Sequence, residues 1–280
     1  MKLLVEKSFD TGEVVLNYAE GPDNGPPLVL LHGGGWGWRS FMPILPHLSL
    51  RWHIYALDAR GHGKSGRTSG SYSLETLYKD VEFFVRERLA EPAVVFGHSQ
   101  GAWLALMLAG KHPDTVRALI VGDTPLFLEG IFEICQGLRE FTISLLSAKE
   151  GSGSVREIMP KLGDGPPTHG RRWMARWLSQ LDAAMIEQWI KNSEDRVICS
   201  DYYGGYDPEN LFKNMSCPVL LLQADASSGG MMTDEHVERA SNILDEVITV
   251  KLKDIGHGLY REKIDEVLLP VLNFLESLRT

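Results

Sequence analysis

The sequence predicts an α/β fold: a mostly parallel central sheet flanked by helices, with an inserted helical cap. Three observations carry that expectation. Short runs of branched and aromatic residues alternate with stretches of helical period, the pattern of βα units that build a parallel sheet covered on both faces. One junction reads as strand, sharp turn and helix: Pro92-Ala93-Val94-Val95-Phe96, then Gly97-His98-Ser99-Gln100-Gly101, then Ala102-Trp103-Leu104-Ala105-Leu106-Met107-Leu108. The alternation also stops between Thr124 and Cys217 and then resumes.

Taken in order, residues 14–18 read as an early strand, 28–31 as a buried one and 53–57 as a third. A helix follows over 74–89, then the strand 93–96, the helix after the turn and the strand 116–121. Beyond the interruption come a buried strand at 219–223, a helix over 234–244, a strand at 248–253 and a closing helix over 263–278. The core is therefore expected from 1–123 and 218–280, with 124–217 as the inserted cap. That insertion lacks clear strands and carries glycine-rich joints at 151–154 and 163–167. It also holds Trp173, Trp177 and Trp189, with Tyr202, Tyr203 and Tyr206 near its end. Trp173 and Trp177 are spaced to share one helix face, either packing the insertion on the core or touching substrate.

Composition excludes several function classes. A chain of 280 residues, 44% hydrophobic, is long enough to bury a sizeable core. A net charge of −9 leaves no basic face for a phosphate backbone, so nucleic acid is not an expected partner. Cys135, Cys199 and Cys217 are odd in number and far apart, which indicates neither a disulfide framework nor a zinc site. No H-E-x-x-H or comparable His/Asp cluster points to metal catalysis, and no cofactor-binding motif is present. The first residues are charged and lack a signal-peptide apolar stretch, and no run approaches bilayer length. A cytoplasmic protein without a membrane partner is expected, its oligomeric state open.

The chemistry centres on Ser99. A serine at the tip of a strand–turn–helix elbow sits in a strained backbone, and glycines two before and two after keep side chains off the neighbouring strand and helix. The helix behind it offers unpaired N–H groups to a developing anion. A hydroxyl is a poor nucleophile until a base takes its proton. His257, in Asp254-Ile255-Gly256-His257-Gly258 just past the last expected strand, is the base candidate. His32 reads as a structural hydrogen-bonder, His62 lies in a turn, and His98 flanks the nucleophile. The fragment Leu31-His32-Gly33-Gly34-Gly35-Trp36 exposes backbone donors after a buried strand. With the N–H of Gln100, that of Gly34 (or of Gly35) can form an oxyanion hole. The expected pocket residues are Gly35, Trp36, His98, Trp173 and Trp177.

Across almost its whole length the chain resembles the α/β-hydrolase superfamily. The resemblance rests on His32-Gly33-Gly34-Gly35-Trp36, Asp58-Ala59-Arg60-Gly61-His62-Gly63-Lys64-Ser65, the Ser99 elbow and Gly256-His257. The Asp58–Ser65 signature is similar to that of the branch with esterases, epoxide hydrolases, dehalogenases and cofactor-free perhydrolases. Members acting on epoxides or halides carry aspartate at the elbow; Ser99 instead implies acyl transfer. The resemblance implies a third, acidic member, commonly in a Gly-x-x-Asp arrangement after the strand at 219–223. Here that stretch reads Gln223-Ala224-Asp225-Ala226-Ser227, with Ser227 at the acid's place and Asp225 two residues early. Other branches place the acid after the strand following the elbow helix, which is Asp123 here. Asp123 is preferred and Asp225 is the alternative.

The expected function is a serine hydrolase of carboxylic esters or lactones of small to medium, largely apolar molecules. The same constellation also serves carbon–carbon bond hydrolysis and cofactor-free perhydrolysis in relatives. The former calls for a pocket arginine, for which Arg171, Arg172 and Arg176 stand in the insertion. A ligand receptor on this fold is the reading from another class.

Overall fold

A computed structural model describes residues 4–68, 72–162, 168–260 and 263–279, with the backbone alone for 168–171. Eight strands form one sheet: β1 (Val5–Asp10), β2 (Val15–Glu20), β3 (Pro27–Leu31), β4 (His53–Leu57), β5 (Ala93–His98), β6 (Val116–Gly122), β7 (Val219–Ala224) and β8 (Val247–Leu252). Their spatial order is β1-β2-β4-β3-β5-β6-β7-β8. The ladders β1–β2 and β2–β4 are antiparallel, and the rest are parallel. Strand β1 was not expected: its burial pattern shows no buried residue, so it lacks the apolar alternation that marks the others.

Helices close both faces. They run α1 (Leu45–Leu48), α2 (Leu74–Arg88), α3 (Gln100–Lys111), α4 (Ile131–Gly137), α5 (Arg139–Lys149), α6 (Val155–Ile158), α7 (Thr168–Gln180), α8 (Ala183–Glu194), α9 (Arg196–Tyr202), α10 (Pro208–Asn214), α11 (Asp234–Ser241) and α12 (Ile264–Ser277). Successive residues of a strand point to opposite faces, and here both faces are dry. Val29, Leu31, Val95, Leu119 and Val121 pack with α2 and α3, while Leu28, Leu30, Phe96, Ile120 and Leu222 pack with Phe41, Ile44, Leu268 and Phe274. That two-sided burial is why the strands read as continuous apolar runs. Helix α3 is buried from Gln100 to Gly110, so it is apolar all round rather than amphipathic. Each fully buried leucine on it contributes about 1.5–3 kcal/mol.

Between β6 and β7 the chain is helical, from α4 to α10. The joint expected at 163–167 lies outside the described residues. No helix among the described residues is long and apolar enough to cross a membrane.

Candidate active site

The parallel order brings the carboxyl ends of β3, β5, β6, β7 and β8 together, where open α/β sheets hold their ligands. Ser99 stands at the tip of the β5–α3 turn with φ 53 and ψ −122, a conformation that L-residues avoid. The elbow's glycines are required by close approach. A Cβ on Gly97 would lie 2.3 Å from the Gly101 carbonyl oxygen, and one on Gly101 would lie 2.1 Å from that of Leu31. The strain turns the Ser99 hydroxyl toward the loop after β8, where His257 Nε2 lies 3.0 Å from Oγ.

Hydrogen-bond partners fix the His257 tautomer. Nδ1 is 2.7 Å from Asp123 Oδ2, and a carboxylate only accepts, so the ring proton sits on Nδ1 and Nε2 offers its lone pair to Ser99. Asp123 follows β6 and is fully buried. It also accepts from the backbone N–H groups of Met231 at 2.9 Å, Met232 at 3.1 Å and Ala224 at 3.2 Å. Burial alone pushes the Asp123 carboxyl up; the hydrogen bond and charge of His257, with the Met231 and Met232 amides, outweigh it and hold the group below the usual carboxylate range.

Asp225 does not reach His257. It accepts from Ser227 N–H at 2.9 Å, Ser227 Oγ at 2.7 Å and Asp254 N–H at 2.9 Å. It therefore ties the loop after β7 to the loop that carries His257. His98 likewise acts on the backbone: its Nε2–H donates to the His257 carbonyl at 2.7 Å, and the ring does not line the cavity.

The glycine loop after β3 lies against the elbow, since a Cβ on Gly33 would sit 3.1 Å from Ser99 Cβ. Gly35 donates its N–H to His62 Nε2 at 2.9 Å, and Trp36 donates to the Gly33 carbonyl at 3.1 Å. The N–H groups of Gly34 and Gln100 meet no acceptor among the described residues, which leaves them for a ligand. Gly35 is thus a support of the loop rather than its donor or part of the cavity wall.

Behind the loop, the turn at 58–65 is a brace. Asp58 accepts from Trp38 N–H at 2.8 Å, Asn17 Nδ2 at 2.8 Å and Lys64 N–H at 3.1 Å. His62 Nδ1–H donates to the Arg60 carbonyl at 2.8 Å, and the Arg60 guanidinium pairs with the buried Asp80 of α2, Nη2 to Oδ1 at 2.6 Å. His32 donates from Nδ1 to the Gly33 carbonyl at 2.8 Å and accepts Ala59 N–H at 3.0 Å. Burial keeps both imidazoles neutral, with His62 pushed down to about 3 and His32 also lowered. The sequence marks the signature but not this use of His62, because a turn histidine carries no sign of its distant partner.

A cavity of about 600 Å³ opens over Ser99 and His257. Gly34, Trp36, Trp173 and Trp177 line it as expected; Trp103, Trp189, Asn192 and Tyr202 do so unannounced. Gln100 Nε2 donates to the Tyr202 hydroxyl at 2.7 Å, a contact between α3 and α9. None of the described lining residues is an Asp, Glu, Lys or Arg. Arg172 is not among them, Arg176 lines a separate cavity, and the Arg171 side chain lies outside the described residues. Cys135, Cys199 and Cys217 are free thiols, and no group among the described residues gathers enough His, Cys, Asp or Glu to hold a metal ion.

A sequence model described as alpha/beta hydrolase fold matches residues 26–140, from β3 through the elbow into α5. The chain has the α/β-hydrolase fold. It is 30% identical over 125 residues to 2-(acetamidomethylene)succinate hydrolase of Mesorhizobium japonicum, a match covering 45% of the chain and 45% of that protein. The match thus spans less than half the length of that relative. The chain is 25% identical over 287 residues to 2-hydroxy-6-oxo-6-(2'-aminophenyl)hexa-2,4-dienoic acid hydrolase of Metapseudomonas resinovorans, covering 97% of the chain and 91% of that protein. The crystal structure of an E-2-(acetamidomethylene)succinate hydrolase superposes with a TM-score of 0.74 at 21% identity, covering 98% and 99% of the two chains. At that identity the superposition shows the shared fold.

Proposed function

We propose that this α/β hydrolase cleaves carboxylic ester or lactone bonds of small to medium, uncharged and largely apolar substrates through an acyl-enzyme. The observation that carries the reading is the continuous hydrogen-bond chain from Ser99 to His257 at 3.0 Å and on to Asp123 at 2.7 Å. In it Ser99 is the nucleophile, His257 the general base and acid, and Asp123 the orienting acid. Ser99 Oγ attacks the carbonyl carbon as its proton passes to His257 Nε2. The carbonyl electrons move to oxygen, and the backbone N–H groups of Gly34 and Gln100 hold the oxyanion. Collapse breaks the bond to the leaving oxygen, which takes the proton from His257. Water then repeats the sequence on the acyl-Ser99 and frees the acid.

The uncharged lining of the cavity favours neutral esters over substrates that carry a carboxylate. Burying a lone carboxylate there would leave it without a counter-charge. A second reading, carbon–carbon bond hydrolysis of a dienoic keto acid, is favoured by the near full-length likeness to the Metapseudomonas resinovorans hydrolase. Assay with p-nitrophenyl butyrate beside a 2-hydroxy-6-oxo-dienoate separates the two. The ester should be turned over, and Ser99→Ala should abolish both turnover and fluorophosphonate labelling. Faster cleavage of the dienoate, or labelling that survives Ser99→Ala, would sink the ester reading.

A further inference from the structure

Two cavities share one wall. The chamber over Ser99 is about 600 Å³, and a second of about 470 Å³ lies beyond it. Trp36, Trp173 and Trp177 line both, so these three indoles stand between them. The chambers differ in charge. The inner one has no Asp, Glu, Lys or Arg among its described lining, whereas the outer one is lined by Glu6, Arg39, Asp58, Lys64 and Arg176. Arg39 and Lys64 both pair with the single carboxylate of Glu6. Asp58 is occupied by Trp38, Asn17 and Lys64 donors. Arg176 forms no ion pair among the described residues. The outer chamber therefore presents excess positive charge a wall's thickness from an apolar site.

The three indoles are not equally replaceable. Trp177 is seated on the glycine loop, where a Cβ on Gly35 would lie 2.2 Å from its Cζ2. Trp36 belongs to that loop and lies 5.1 Å from the His98 ring. Trp173 is 38% exposed, on α7, edge-on to Trp36 at 5.6 Å and stacked on Trp177 at 6.1 Å. Its removal opens the wall while both loop-bound rings stay.

We infer that Trp173 is a specificity-determining residue: it closes the acyl-binding chamber against the cationic outer chamber, which is a latent subsite for the carboxylate end of a longer substrate. The inference deepens the ester-hydrolase reading and rests on it. In the native protein the indole ends the chamber with an apolar surface, so a tail carboxylate would be desolvated there without a partner. With the wall opened, the tail reaches Arg176 and the chain can be longer.

The test compares p-nitrophenyl butyrate with mono-p-nitrophenyl glutarate, an ester whose acyl chain is extended by a terminal carboxylate. The native protein should prefer the butyrate. In Trp173→Ala the ratio of kcat/KM for glutarate over butyrate should rise about tenfold or more, as pocket contacts of this size allow. Trp173→Phe should keep the native ratio, and Arg176→Ala on the Trp173→Ala background should cancel the gain. A ratio in Trp173→Ala within about twofold of native overturns the inference, as does a gain that survives loss of Arg176. Binding of butyryl and glutaryl p-nitroanilides to Ser99→Ala, with the same wall substitutions and followed by indole fluorescence, gives the same comparison without turnover. Failure of the native protein to cleave either ester therefore strikes the hydrolase reading alone.

Discussion

Ser99 holds φ 53 against an ordinary cost of about 1–3 kcal/mol because its neighbours leave no alternative. Its N–H donates to the Gly122 carbonyl at 2.9 Å, and the residues that begin α3 close behind it. Asp123, with φ 20, is the second strained position, and it directly follows that carbonyl. Ser99 and Asp123 are thus fixed by adjacent strands through one shared contact. Asp123→Asn should keep the fold but present the wrong tautomer of His257, lowering kcat by about 10⁴-fold with KM little changed. Asp225→Asn should cost stability more than turnover, because it frees only the tie to Asp254. Steady-state kinetics of the two variants decide between the carboxylates. The sequence singled out Ser99 and His257, at an elbow between an apolar strand and an apolar helix and just past the last strand, and the structure sets them 3.0 Å apart. Asp123 was harder, because its partners Met231 and Met232 are distant in sequence and are brought to it only by β6–β7 pairing.

At the scale of the element, the turn at 58–65 shows how a surface-looking motif becomes buried machinery. Arg60 and Asp80 are 3% and 5% exposed at the side chain, so their pair is shielded from water and salt. Removing Asp80 leaves the buried Arg60 charge with only the exposed Glu13 carboxylate at 3.3 Å, and Asp80→Ala should destabilise by about 3 kcal/mol in urea unfolding. A loss under about 1 kcal/mol would mean that water and the existing Glu13 pair suffice for the charge. The parallel strands were legible because two-sided burial leaves a continuous apolar signature. Strand β1 was not, because its residues remain partly or fully exposed and it is held by backbone ladder bonds with β2. Helices α11 and α12 begin close to where the sequence placed them, while α11 stops earlier, at Ser241.

At the scale of the whole molecule, the buried and neutral His32 and His62 set part of its acid sensitivity. His62 titrates at about 3 when folded and near 6.5 when free. Between those values the unfolded chain binds the extra proton, so stability rises with pH and falls on acidification from about 6.5 toward 3. His32, also lowered by burial, adds in the same direction. Asp123 stays ionised over most of that window because its own group is held below 3.8, so it does not drive the decline. His62→Gln should flatten the fall in unfolding free energy between pH 7 and pH 4.5, relative to native protein, as about one fewer proton is taken up on unfolding. An unchanged slope would show that His62 is already protonated in the folded state. Composition carries no sign of this, since it reports histidines without their burial.

The place where the chain leaves the sheet has a practical consequence. Asp123 is followed at once by Thr124, Pro125 and Leu126, the first residues of the helical insertion, all buried. Trp103 Nε1 donates to the Pro125 carbonyl at 2.7 Å, and the Tyr206 hydroxyl, near the insertion's other end, donates to the Leu126 carbonyl at 2.9 Å. Recombining this scaffold with a foreign insertion therefore has a preferred crossover. Chimaeras joined after Leu126 keep the Trp103 anchor, but they retain the second only if the incoming segment also returns through Tyr206. Joints made at Thr124 discard both anchors, one residue from Asp123.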